Sequence, residues 1–160
     1  DFIEQIRITA KNRMIQPSIM PISSDSAWAY FRNSSTNLDA RELFAAKTLD
    51  GGKSWSKPEM TNLTNPDSSL EVVNLADGRY LMVYNQDNRS HLNLAISVNG
   101  LYWRKIYELE NTPGDEFSYP SVHVNNGYID ILYTNNRKTI KHVRFNREWL
   151  SEVIKHATVY

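Results

Sequence analysis

Lys47-Thr48-Leu49-Asp50-Gly51-Gly52-Lys53-Ser54-Trp55 is the stretch whose reading decides the fold. Asp-Gly-Gly between an apolar run and a Ser-Trp pair predicts a tight β-hairpin, because glycine accepts the positive φ such turns need. The Thr48 hydroxyl and the Asp50 carboxylate are placed to bond the turn's own amides. Trp55 then has an indole to bury. One such hairpin would say little, since many β-proteins have one. A second, Ser97-Val98-Asn99-Gly100-Leu101-Tyr102-Trp103, follows at a spacing of about fifty residues, the scale of an internal structural repeat.

Working outward from the two hairpins, three segments align. The first runs from Gln16-Pro17-Ser18 through Ala27-Trp28-Ala29-Tyr30-Phe31-Arg32 and Leu43-Phe44-Ala45-Ala46 to Trp55. The second runs from Asn65-Pro66-Asp67-Ser68 through Tyr80-Leu81-Met82-Val83-Tyr84 and Leu92-Asn93-Leu94-Ala95-Ile96 to Trp103. The third runs from Tyr119-Pro120-Ser121 through Tyr128-Ile129-Asp130-Ile131-Leu132-Tyr133-Thr134 to Ile140-Lys141-His142-Val143-Arg144-Phe145. Each opens on a proline, turns at Ser24-Asp25, Asp77-Gly78 or Asn126-Gly127, and continues into β-branched and aromatic strands.

About four strands per unit at this period is the signature of propeller blades. The chain therefore predicts an all-β fold, a single partial β-propeller domain over 1–160 with blades at about 16–58, 65–106 and 117–146. Residues 1–15, alternating over Phe2–Ile8, are expected to form a strand of a preceding blade. Helix is expected only for a turn or two over Asn146–Glu152, capped at Asn146. Three blades cannot close a ring of four to eight, so the open edges call for the missing half of the propeller or a second copy of the chain. A complete β-sandwich with coincidentally similar hairpins is the alternative.

At 160 residues the chain can bury a core, and its 18 basic and 18 acidic residues balance. No global field draws it to nucleic acid, and no apolar run is long enough to span a membrane. It contains no cysteine, which removes disulfide and thiolate chemistry but neither requires nor excludes export. The compartment stays open, secreted or periplasmic sites being compatible. Asn33-Ser34-Ser35, Asn62-Leu63-Thr64 and Asn88-Arg89-Ser90 match the N-glycosylation pattern, as chance readily produces in an asparagine-rich chain. The opening Asp1-Phe2-Ile3 has neither a start methionine nor a signal peptide. The chain thus reads as a processed product or a piece, expected to lack turnover by itself. His91, His123, His142 and His156 show no metal-ligand spacing; no metal and no cofactor are expected.

The hairpins resemble the Asp box of sialidases (neuraminidases) and other BNR-repeat propellers, Ser/Thr-x-Asp-x-Gly-x-x-Trp. Thr48, Asp50, Gly52 and Trp55 fit it; Ser97, Asn99 and Trp103 fit a copy one residue shorter, with asparagine for aspartate. Such boxes are structural and mark fold rather than activity. Glu116-Phe117-Ser118-Tyr119-Pro120-Ser121-Val122 and the strand after Gly127 resemble the last part of a sialidase. Over Gln16–Leu150 the resemblance implies the C-terminal half of a six-bladed propeller.

The same resemblance places Tyr119 at the nucleophile and Arg32 and Arg89 near two of the three arginines that hold the substrate carboxylate. It leaves the family's first arginine and its acid aspartate outside this chain. The residue types suit that chemistry: a guanidinium fork matches a carboxylate, and a neutral phenol approaches an anionic anomeric carbon where a carboxylate would be repelled. The repeat alignment adds Arg137 at the comparable place in the third unit. Gln16 stands where the family has its base glutamate, and an amide cannot take a proton at neutral pH; Thr134 replaces a bracing glutamate. Glu116, three residues before Tyr119, is the candidate acid/base.

Lys138 and Lys141 read as surface charges, and Trp28, Tyr30, Tyr84, Tyr102 and Tyr133 mostly as core, one or two able to stack on a sugar. The expectation is a sialidase-like glycoside hydrolase, an exo-glycosidase acting on an acidic glycan or glycoside. Alternatives are a non-catalytic carbohydrate-binding propeller using the same arginines, and a protein-interaction propeller with no small ligand.

Overall fold

The computed structural model describes residues 5–9, 13–35 and 41–157. Three antiparallel sheets follow one another along the chain. The first holds β1 (Met14–Pro21), β2 (Ala27–Asn33), β3 (Glu42–Thr48) and β4 (Glu59–Thr64) in sequence order. The second holds β5 (Glu71–Asn74), β6 (Tyr80–Asn85), β7 (His91–Ser97) and β8 (Arg104–Asn111). The third has three strands, β9 (Phe117–Asn125), β10 (Tyr128–Asn135) and β11 (Thr139–Asn146). The first strands β1, β5 and β9 lie side by side, so the sheets are consecutive blades of a partial β-propeller.

Sequence pattern explains which strands are central. β2, β3, β6 and β7 are buried along nearly their whole length; β6 and β7 lie between the first and third sheets, while β2 and β3 face the second sheet on one side and Ile8, Met14 and Trp55 on the other, so all four read as continuous apolar runs. The outer strands alternate instead. One core lies between the first two sheets, around Met20, Tyr30, Leu43, Met82, Tyr84 and Trp103. Another lies between the second and third, around Leu81, Val83, Leu94, Phe117, Ile131 and Tyr133. Of the aromatics expected inside, Tyr102 is the exception at 72% exposed; it sits at the tip of the β7–β8 turn, where no second sheet covers it.

The helix α1 (Arg147–His156) is longer than the turn or two expected. Asn146 caps it, its side chain accepting the Trp149 N–H at 2.9 Å. Leu150 and Trp149 bind it to the second core, and Arg104 donates to the carbonyls of Ile154 and Ala157 at its C-terminal end. Tertiary packing carries a helix that local propensity alone would not extend. Of the strand expected over Phe2–Ile8, Phe2 to Glu4 lie outside the described residues, Gln5–Thr9 carry no strand, and Met14 and Ile15 belong to β1.

Candidate active site

Each sheet places one non-glycine residue in the left-handed region near the start of its first strand, beside a proline: Gln16 (φ 45°), Asp67 (φ 57°) and Tyr119 (φ 54°). Side chains with a Cβ hold such backbone at about 1–3 kcal/mol each, and such positions cluster where function over-determines them. Gln16 falls at a bulge in the β1–β2 ladder and Tyr119 at one in the β9–β10 ladder. A bulge re-aims a side chain that the regular pleat would direct elsewhere.

Two of them, Gln16 and Asp67, bond to Arg32, the penultimate residue of β2, whose side chain is largely covered. Arg32 Nη1 donates to Gln16 Oε1 and Nε to Asp67 Oδ1, both at 2.8 Å. The Tyr119 phenol stands within electrostatic reach of the same guanidinium. Arg89, in the β6–β7 loop, donates through Nη1 to Glu116 Oε1 and through Nη2 to the Asp67 carbonyl, each at 2.9 Å. Its guanidinium stands 5.6 Å from the Tyr119 ring centroid. Arg137, at the β10–β11 turn with φ 52°, donates from Nε to both Glu116 oxygens at 3.1 and 2.9 Å. Arg32, Arg89 and Arg137 therefore converge on one place, from three different sheets.

The electrostatics follow from these bonds. Glu116 is partly desolvated, which works to raise its pKa, but bonds from Arg137, Arg89 and Ser118 prevail and hold the carboxyl below its ordinary value. The pKa of the Tyr119 phenol is lowered too, first by the neighbouring Arg32 guanidinium and then by the charge of Arg89. Tyr119 itself is 45% exposed. It lines a shallow cleft of about 460 Å³ with Thr134, Arg137, Lys138, Thr139 and Ile140, open to solvent. Counting formal charges, three arginines face Asp67 and Glu116, which leaves the cluster at one net positive.

Thr48, Asp50, Gly52 and Trp55, and likewise Ser97, Asn99 and Trp103, sit at the opposite ends of the strands, where Ala27 pairs with Thr48 and Tyr80 with Ser97. They take no part in the arginine cluster. Sequence reasoning left Asp67 and Asn136 unassigned. Asp67 carried a signal, since it occupies the proline-marked opening of the second repeat as Gln16 and Tyr119 do in theirs. Asn136, whose Oδ1 accepts the Glu116 N–H at 2.7 Å, is a turn residue whose role only the folded contact reveals.

Three successive sheets with their first strands adjacent, and basic side chains meeting at one end, define a sialidase-like partial β-propeller. The chain belongs to the BNR repeat-like domain family, whose profile matches residues 3–131. Among solved structures it is similar to a Penicillium chrysogenum α-L-arabinanase complexed with arabinobiose, at 18% identity and TM-score 0.65 over 84% of this chain and 46% of that one. It is similar to a GH93 α-L-arabinofuranosidase of Fusarium graminearum at 15% identity and TM-score 0.65, over 86% and 47%. A Hadza microbial sialidase, Hz136, gives 15% identity and TM-score 0.65, over 85% and 28%. The chain thus spans less than half the length of each of these structures. No curated protein sequence matches it.

Proposed function

We propose that this chain carries part of the active site of a sialidase-like glycoside hydrolase, acting on a sugar that bears a carboxylate. The observation that carries this reading is the convergence of Arg32, Arg89 and Arg137 on Tyr119. Arginines gathered around an exposed phenol suit an anionic sugar, because they hold the carboxylate and lower the phenol together. The Tyr119 phenol gives its proton to solvent in the open cleft, and its oxygen bonds to the anomeric carbon as the bond to the leaving oxygen breaks. A water then displaces the tyrosine and restores the phenol. Protonation of the leaving oxygen falls to a group outside the described cluster.

Glu116 takes a different task from the acid/base role its sequence position suggests. A carboxyl held ionised by two guanidinium groups is a poor proton donor at neutral pH. Its bonds make it the brace of Arg89 and Arg137, the part Thr134 cannot play. A second reading, a carbohydrate-binding propeller without turnover, is favoured by one residue: Gln16 is committed to Arg32 and cannot serve as a base.

Assay of the full-length protein on sialosides and on uronic-acid glycosides separates the two. Hydrolysis of either, lost by at least about a thousandfold in Tyr119→Phe while sugar binding persists, supports the enzyme. Binding without turnover in the unaltered protein supports the binding module. Turnover that survives Tyr119→Phe removes the proposed nucleophile.

A further inference from the structure

We infer that Asp67 is the positioning residue of this site, fixing Arg32 and Arg89 relative to each other and to Tyr119. The inference rests on the active-site reading above and adds a residue to it. Asp67 holds the two arginines through different groups: its carboxylate takes Arg32 Nε at 2.8 Å, and its carbonyl takes Arg89 Nη2 at 2.9 Å. Because one residue holds both, their separation follows its backbone. The left-handed φ of Asp67 is what allows carboxylate and carbonyl to face two arginines at once.

That backbone is itself pinned from below. Asn65 Oδ1 accepts the Ser68 N–H at 3.1 Å, Asn65 Nδ2 donates to the Ser68 carbonyl at 2.7 Å, and the Ser68 hydroxyl donates to Asn85 Oδ1. Asn65, Ser68 and Asn85 are all fully buried. A turn closed over three buried polar side chains has little freedom, which is what pre-organisation of a site requires. Gln16 and Asp67 then meet on the single guanidinium of Arg32, while Arg89, held by the same Asp67, stands over the Tyr119 ring. Gln16 brings no charge to Arg32; Asp67 brings the carboxylate.

The arrangement also sets charge. Asp67 occupies Nε of Arg32 and Gln16 takes Nη1, so a ligand's carboxylate is left Nη2, in a cluster with one net positive charge. That matches a sugar bearing a single carboxylate.

The test is made in the full-length protein with Asp67→Gly and Asp67→Asn. Glycine removes the carboxylate at a φ it adopts freely, so backbone strain is not added. Asparagine keeps the acceptor and tolerates the same φ while removing the charge. Tyr119 is followed by NMR of ¹³Cζ-labelled tyrosine through a pH titration without ligand; the charged groups facing it are Arg32, Arg89 and Arg137, with Lys138 in the same cleft. Binding of N-acetylneuraminic acid and of glucuronic acid is measured by calorimetry.

In Asp67→Gly the Tyr119 titration is expected to move upward, because Arg32 is no longer held near the phenol, and the sugar acid that binds is expected to weaken about tenfold. In Asp67→Asn the titration moves to or below its place in the unaltered protein, and binding is retained within about threefold, since the bond to Arg32 survives. Identical Tyr119 titrations in all three proteins overturn the inference. If Asp67→Gly does not fold, an upward Tyr119 shift in Asp67→Asn overturns it and a shift in the other direction supports it. If neither sugar acid binds the unaltered protein, the functional reading fails, while the ligand-free titration still judges Asp67.

Discussion

The two tryptophan-bearing hairpins look like a sound copy and a degraded one, yet the degraded copy ties the molecule together. In the first, Thr48 Oγ1 accepts the Gly52 N–H at 2.9 Å and Asp50 Oδ1 accepts the Ser54 N–H at 2.9 Å. Its one backbone bond to another turn, from Gly51 N to the Asp25 carbonyl, stays within the same sheet. Trp55 is only partly buried. The second hairpin repeats the local bonds with Ser97 and Asn99, the latter accepting the Leu101 and Tyr102 N–H groups. It then docks on the neighbouring sheet. Tyr30 Oη and Trp103 Nε1 both donate to the Gly100 carbonyl, at 3.0 and 3.1 Å. Asn62 of β4 bonds the Trp103 backbone twice. Matching a local pattern fixes a turn; what the turn does for the fold is decided by its surroundings.

The largest test of that difference is truncation of the two tryptophans. Trp103 is buried in the core between the first and second sheets and packs edge-on against Tyr30 at 5.6 Å. Trp103→Ala should cost about 3–5 kcal/mol, whereas Trp55→Ala, on the half-covered site, should cost about 1–2 kcal/mol. Denaturant unfolding of both variants reads the gap; equal losses would mean that the two hairpins share the structural load.

Glycines make the next comparison. A Cβ at Gly100 would stand 2.5 Å from Trp28 Nε1, and Trp28 is itself buried, so the ring cannot step aside. Gly51, at φ +72°, has nothing within 4 Å. Gly51→Ala therefore meets only the left-handed backbone penalty of about 1–2 kcal/mol. Gly100→Ala adds overpacking of about 1–3 kcal/mol to the same penalty. Thermal melting of the pair checks the order, and a Gly100→Ala protein as stable as Gly51→Ala would show that the sheets separate there without loss.

How much of this was legible depended on how far each interaction reaches along the chain. The bonds of Thr48 and Asp50 span at most four residues, and the sequence displays them. The three-sheet order followed from apolar runs and turn residues repeating at one period. Arg32, Arg89 and Arg137 were aligned by that repeat because each follows or closes a central strand. Asp67 was not singled out, because its role needs a left-handed φ and contacts to arginines 35 and 22 residues away. The length of α1 was hidden likewise, since Leu150 and Trp149 hold it by contacts with strands distant in sequence. The braced state of Glu116 depends on Arg89 and Arg137 reaching it from separate loops, and no spacing rule reports that.

The smallest effect is the most specific. Asp50 is fully exposed, and its pKa is lowered from 3.8 to about 2, first by the Ser54 hydroxyl, then by the Ser54 amide, with Thr48 also contributing. A carboxyl whose folded pKa is depressed contributes stability above its unfolded value and loses it as pH falls through the folded one. The first hairpin should therefore loosen between about pH 4 and pH 2. The second hairpin should hold over the same range, because Asn99 fills the equivalent place with an amide that does not titrate. Amide chemical shifts and exchange of Ser54 and Tyr102, followed from pH 5 downward, separate the two. In Asp50→Asn the transition at Ser54 should vanish, which distinguishes a local event from acid unfolding of the whole chain. Simultaneous loss of protection at Ser54 and Tyr102 would show instead that the hairpins are coupled, and that the contrast between them is one of packing alone.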